Sequence, residues 1–171
     1  MINLEYNSIH QMLNYFRATY KVVEEDWQKS AQEVGITQSE QHMLWIIYYE
    51  KKVSMSYIAK VGLWDLSTVM QVIKRLKAKG LVQTIKDEND LRISYVMLTP
   101  EGEKKRAETS EFTYRFSEFL DNYANESEEQ KKRLEESLHF VKDFCKHYYG
   151  QEFIQWVDKS SSLNEADDEN K

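Results

Sequence analysis

The stretch from Ser54 to Gly102 constrains the fold more than any other part of the chain. Ser54 offers an N-cap for a short helix through Ile58 and Ala59. Val61-Gly62-Leu63-Trp64 supplies a tight turn, and Asp65 caps a second helix that opens with Leu66. Two runs with strand character follow, Val82 to Lys86 and Ile93 to Leu98, around the polar loop Asp87-Glu88-Asn89-Asp90-Leu91-Arg92. Thr99-Pro100-Glu101-Gly102 then reads as a new helix start, with threonine as the cap and proline at the first helical position. Two short helices joined by a tight turn and followed by a hairpin are the parts, in order, of a helix-turn-helix with a β wing.

The flanks read as helices. Five glycines and one proline in 171 residues leave little turn punctuation, so the fold class is mainly α with a small hairpin. Ile9, Leu13, Phe16, Tyr20, Val23, Trp27 and Ala31 recur at three- and four-residue steps, which predicts one helix from about Tyr6 to Val34, ended by Gly35. A densely apolar helix follows from about Ser39. Beyond the hairpin, one helix is predicted from Thr99 to about Tyr123 and another from Ser127 to Tyr149, ending at Gly150, with Leu134, Leu138, Val141, Phe144, Cys145 and Tyr148 inward. A short amphipathic piece spans Phe153 to Val157. These readings divide the chain into an N-terminal dimerisation helix (1–34), a winged helix-turn-helix unit (35–102), C-terminal dimerisation helices (103–158) and an acidic tail expected to be irregular (159–171).

A net charge of −6 and a pI near 5.3 argue against nucleic-acid binding until the distribution is inspected. From Gln71 to Lys86 the charged residues are Lys74, Arg75, Lys77, Lys79 and Lys86, with no acid among them. The acidic excess lies in Glu126 to Glu136 and in the tail. Phosphate affinity follows the local field within about 8–10 Å at physiological salt, so the global total does not decide it. At about 100° per residue, Leu66, Val69, Ile73 and Leu76 share a core face, while Ser67, Thr68, Gln71, Lys74, Arg75 and Ala78 fall opposite. Hydroxyls near the helix start, an amide able to pair with adenine, and bases toward the phosphates suit a major groove. Arg92 at the hairpin tip suits a narrow minor groove, with Asp90 placed to orient it and Lys86 on a phosphate. Ser54, Ser56, Trp64, Asp65, Asn89 and Ser94 complete the candidate DNA-contacting set. Asp87 and Glu88 have the wrong sign for this role.

Other constellations point to little chemistry. Cys145 cannot form an internal disulfide and reads as a small core residue, with oxidant sensing as the alternative. His139 and His147 are eight apart, too far for two ligands on one helix face, so no metal site is expected. His42 reads as structural. There is no nucleophile elbow, phosphate loop or Cys-x-x-Cys, so neither catalysis nor a cofactor is expected. Tyr15, Phe16, Tyr20, Trp27, Trp45 and Trp64 read as ordinary core, with a cleft for a small apolar effector as the alternative. With no export signal, no spanning apolar run and a lone cysteine, the expected place is the cytoplasm, with no membrane partner.

Asp90-Leu91-Arg92, five residues, then Leu98-Thr99 and Gly102 resemble the wing signature D-x-R-x5-L-T…G of the MarR family of winged-helix repressors. The segments Ser54 to Lys60 and Leu66 to Val82 resemble that family's first helix, recognition helix and first wing strand. Glu25-Asp26-Trp27-Gln28, His42-Met43-Leu44-Trp45-Ile46 and His147 to Phe153 look like the Hpr (ScoC) subgroup, regulators of protease production and sporulation. The resemblance implies a homodimer, mainly repressive, on promoter DNA. Physical sense points the same way: the first and last helices carry more apolar surface than one small domain covers, and a two-fold mate would hide it. Such a mate sets two recognition helices about 34–36 Å apart on a duplex pseudo-palindrome. The rival from another class is a helical protein-interaction regulator without DNA contact, supported by the acidic total.

Overall fold

The structure is a computed structural model that describes residues 6–87, 90 and 93–168. Helix α1 (Tyr6–Glu33) leads into α2 (Gln38–Glu50), strand β1 (Val53–Ser54), α3 (Met55–Val61) and α4 (Leu66–Ala78). Strands β2 (Val82–Lys86) and β3 (Ser94–Leu98) precede α5 (Pro100–Ser110), α6 (Arg115–Glu126) and α7 (Glu128–Asp168). The chain is mainly helical with a small antiparallel sheet.

α2 is apolar around most of its circumference, and the core forms on it. Met43, Leu44, Ile46 and Ile47 are fully buried against Ile58 and Val61 of α3, and against Val69, Val72, Ile73 and Leu76 of α4. Val96 closes this core from the sheet. Caps set the helix starts. Thr37 and Glu40 form a reciprocal capping box on α2, and Ser54, Asp65 and Thr99 cap α3, α4 and α5. Gly102 permits the α5 start to lie on the hairpin: a Cβ there would sit 1.9 Å from the Leu81 carbonyl oxygen.

The hairpin pairs Val82 with Leu98 and Lys86 with Ser94. It is not two-stranded, as expected, but part of a sheet in the order β1-β3-β2, with Val53 opposite Val96. Two residues show no alternation, so β1 leaves no mark in the sequence. Leu66, expected on the core face of α4, lies outside it. Leu66 is 45% exposed and Val72 is buried, because the core sector of α4 is centred between Val69 and Leu76.

The helix expected from Thr99 to Tyr123 is broken. α5 stops at Ser110, and the chain turns so that the Tyr114 hydroxyl meets Ser30 Oγ at 3.0 Å and accepts from Gln41 Nε2 at 3.2 Å. Arg115 Nε then donates to the buried Asp26 of α1 at 2.6 Å, and the Phe116 amide donates to the same carboxylate at 3.3 Å. Burial raises the Asp26 pKa, but these bonds and the Arg115 charge outweigh it, and the net direction is down. Polar anchoring to α1 therefore overrides local helix propensity.

α7 bends at Gly150, whose φ of 80° and ψ of 178° are non-helical. The arm before the bend packs on α6, but the residues expected to face inward do not. Leu138 is 65% exposed, and Val141, Phe144 and Tyr148 are exposed with it, as are Ile9, Leu13, Phe16 and Tyr20 of α1. Only Leu134 and Cys145 of that set are half-buried. The arm after the bend folds back: Ile154 is buried, Glu152 pairs with Lys60 of α3, and Lys159 reaches Glu50 of α2 at 3.1 Å. Lys142 and Asp158 join the two arms at 2.9 Å. The helix runs to Asp168 where an irregular tail was expected, since no glycine or proline follows Gly150 to interrupt it.

Candidate nucleic-acid interface

The N-terminus of α4 is organised by one carboxylate. Asp65 accepts from the Thr68 amide at 2.8 Å, from Thr68 Oγ1 at 2.7 Å and from Ser67 Oγ at 2.5 Å. The Ser67 bond, then the two from Thr68, hold the Asp65 carboxyl down at about 2. Both hydroxyls therefore spend their protons on the cap and present lone pairs outward, so in this arrangement they can accept from a base edge but not donate to it.

The cations differ in freedom. Lys74 and Gln71 are exposed and have no side-chain partner among the described residues. Lys77 Nζ donates to Thr84 Oγ1 of β2 at 3.0 Å. Lys79 Nζ lies 2.8 Å, and Arg75 Nε 3.6 Å, from the carboxylate of Glu40, which is 1% exposed. Burial raises the Glu40 pKa, but the Lys79 bond, the Thr37 amide and the two positive charges outweigh it and set the net direction down. The stretch without acids in sequence thus acquires one in space, a counter-ion supplied by α2.

On the wing, Lys86 is exposed at the end of β2 opposite Ser94. The Asp90 amide donates to Asp87 Oδ1 at 3.0 Å, and backbone bonds between Asp87 and Ile93 and between Ile93 and Asp90 close the turn. Asp87 thereby gains a role its charge did not suggest: it caps the wing loop. Arg92 and Asn89 lie outside the described residues. Ser54 is engaged as the α3 cap, and Ser56 is exposed two residues on. Trp64 is half-buried, edge-on to His42 at 5.1 Å, and so packs the turn rather than leading its surface. Burial lowers the His42 pKa.

Two features escaped the sequence reading. One is Glu40, whose reach across to α4 leaves no sign in the sequence. The other is Met70, 56% exposed beside Gln71 and Lys74, which a helical wheel centred on the true buried set would have placed outward.

A concavity of about 740 Å³ lies between α1, α2, α5, α6 and the returning arm of α7. Trp27, Trp45, Tyr48, Arg106, Tyr114 and Trp156 are among its lining. The Arg106 guanidinium lies 3.9 Å from the Tyr48 ring centre and 4.7 Å from that of Trp45. Gln41 Oε1, Arg106 Nε and Trp156 Nε1 are buried there without a hydrogen-bond partner among the described residues. Of the aromatics considered for a cleft, Trp27 and Trp45 line this one; Tyr20, Trp27 and Trp64 line a neighbouring groove, and Tyr15 and Phe16 are exposed on α1. Among the described residues no cluster of metal-ligating side chains occurs, and no helix is long and apolar enough to cross a membrane.

The MarR family pattern matches residues 36–94, from two residues before α2 to the first residue of β3. The HTH-type transcriptional regulator Hpr of Shouchella clausii is 31% identical over 151 residues, which cover 87% of this chain and 76% of that protein. That of Exiguobacterium sibiricum is 39% identical over 100 residues, 58% of this chain and about half, 53%, of its own length. Among solved structures, Streptococcus pneumoniae FabT in complex with DNA shares the fold with a TM-score of 0.66 at 22% identity, covering 84% of this chain and 99% of that one.

Proposed function

The chain belongs to the MarR family, and on that premise we propose that it is a homodimeric, sequence-specific DNA-binding transcriptional regulator acting mainly as a repressor. The observation that carries this reading is the outward face of α4, where Ser67, Gln71 and Lys74 stand exposed on a helix whose opposite side is fully buried. Ser67, Thr68 and Gln71 read base edges; Lys74, Lys77 and Lys86 neutralise phosphates; Arg92 of the D-x-R motif enters the minor groove. Arg75 and Lys79 serve chiefly to hold α4 on α2. Residues 35–102 form the DNA-binding unit, and α1 with the helices beyond residue 103 forms the dimerisation unit. Its exposed apolar side chains, from Ile9 to Tyr20 and from Leu138 to Tyr149, are the surface a two-fold mate would cover. Genes of protease production and sporulation are the proposed targets, by likeness to the Hpr regulators. An electrophoretic shift with genomic fragments tests the reading: a retarded complex that dissolves steeply between 50 and 200 mM salt is expected. Absence of any complex at low salt would favour a protein-interaction regulator instead.

The concavity supports a second reading within the same class, control by a small effector. Three polar atoms buried without partners among the described residues, beside a cation stacked on two aromatic rings, suit a compact aromatic molecule bearing hydrogen-bonding groups. A thermal-shift screen of such compounds, followed by release of the protein–DNA complex, tests it.

A further inference from the structure

The proposed reading leaves two apolar side chains on the outward part of α4 without a role. Met70 is 56% exposed and Leu66 45% exposed, and four residues of separation set one above the other on the helix. Ser67 precedes Met70 by three residues, and Lys74 follows by four, so the pair is edged by a hydroxyl and a cation. Helical side chains lean toward the N-terminus, so the Met70 thioether overlies the first turn, the part of a recognition helix that meets base edges. The exposed apolar residues of α1, α6 and α7 lie on the proposed dimerisation unit, and Ile85 and Ile93 belong to the wing. Among the described residues, Met70 and Leu66 are the exposed large apolar side chains of α4, the helix that carries Gln71 and Lys74; Leu63, also exposed, lies in the turn before it.

An apolar pair edged by a lysine needs a partner that is anionic at its borders and apolar at one point. A duplex meets that description. Its phosphates border the major groove, and thymine presents there a C5-methyl that the other bases lack. We propose that Met70, backed by Leu66, reads a thymine methyl and is a specificity-determining residue of the DNA site. The unbranched thioether adapts its shape to such a contact more readily than a branched side chain would. This inference rests on the DNA-binding reading.

The test uses the full-length protein and the duplexes it enriches from a random-sequence pool. Each thymine of an enriched duplex is replaced in turn by 2′-deoxyuridine, which removes only the methyl. At one thymine per half-site the unmodified protein is expected to lose about fourfold in affinity, the value of one buried methyl. Met70→Ala, a solvent-facing change checked by circular dichroism, is expected to bind both duplexes equally, and Met70→Leu to keep the discrimination. If no thymine is sensed, or if wild type and Met70→Ala sense it equally, the inference is overturned and DNA binding stands. If no duplex is enriched at all, the DNA-binding reading itself falls and takes this one with it.

Discussion

The ammonium of Lys79, at the C-cap of α4, lies 2.8 Å from a carboxylate oxygen of Glu40, in the first turn of α2. The bond fastens the proposed recognition helix to the most buried helix of the domain. The second Glu40 oxygen has no hydrogen bond among the described residues and lies 3.6 Å from Arg75 Nε. Replacing Glu40 by Gln should cost about 1–3 kcal/mol, below the value for a fully buried pair because Lys79 and Arg75 can regain water. The pH dependence has a definite sign. The folded-state pKa lies below the ordinary value of 4.5, so this stabilisation is complete above that value and is lost as pH falls through the lowered one. Urea unfolding of wild type and Glu40→Gln at pH 7 and pH 3.5 should show a difference at the first pH that shrinks at the second.

Lys74 and Lys79 should separate by assay. Lys74 has no partner among the described residues, so Lys74→Ala should reduce the slope of log affinity against log salt by about 0.9, one phosphate's share, with no loss of stability. Lys79→Ala should leave the slope nearly unchanged and lower the thermal midpoint. Equal effects of the two on the slope would contradict the assignment of Lys79 to Glu40.

Asp65 organises the first turn of α4 through three accepted bonds. Asp65→Ala should leave the fold in place and speed amide exchange at Thr68 roughly tenfold, as expected for a lost cap. Because its carboxyl is held at about 2, below the ordinary 3.8, the cap should be intact at pH 4.5 and open only as the pH falls below 3.8 toward about 2. Exchange measured by NMR at several pH values reads this directly.

The exposed apolar residues of α1 and α7 predict the assembly. Phe16→Glu combined with Leu138→Glu should convert the proposed dimer to a monomer of 20.5 kDa while preserving the circular dichroism of the winged-helix unit. Sedimentation equilibrium distinguishes the species. A double variant that stays dimeric would place the interface elsewhere.

How much was legible follows from where each signal resides. The starts of α3, α4 and α5 were readable because Ser54, Asp65 and Thr99 cap through bonds to residues two or three positions away. The α1 stripe was readable because periodicity needs no knowledge of the partner surface. Leu138, Val141 and Phe144 were misplaced for the complementary reason: a periodic stripe marks a face to be covered, but not whether this chain or another covers it. The end of α5 was invisible, because Tyr114 and Arg115 answer to Ser30, Gln41 and Asp26, more than seventy residues away.

Local chemistry alone settled the helix-turn-helix, its caps, the two strands of the hairpin and the cationic run from Lys74 to Lys86, since each depends on neighbours within a few positions. Tertiary packing alone decided which of those cations stay free, which apolar residues of α4 remain outside, and where the chain turns back on itself at residues 111–114. Charge and burial are properties of positions in space. A glutamate thirty-five residues from Arg75 in sequence neutralises it at 3.6 Å only because α2 and α4 share one core.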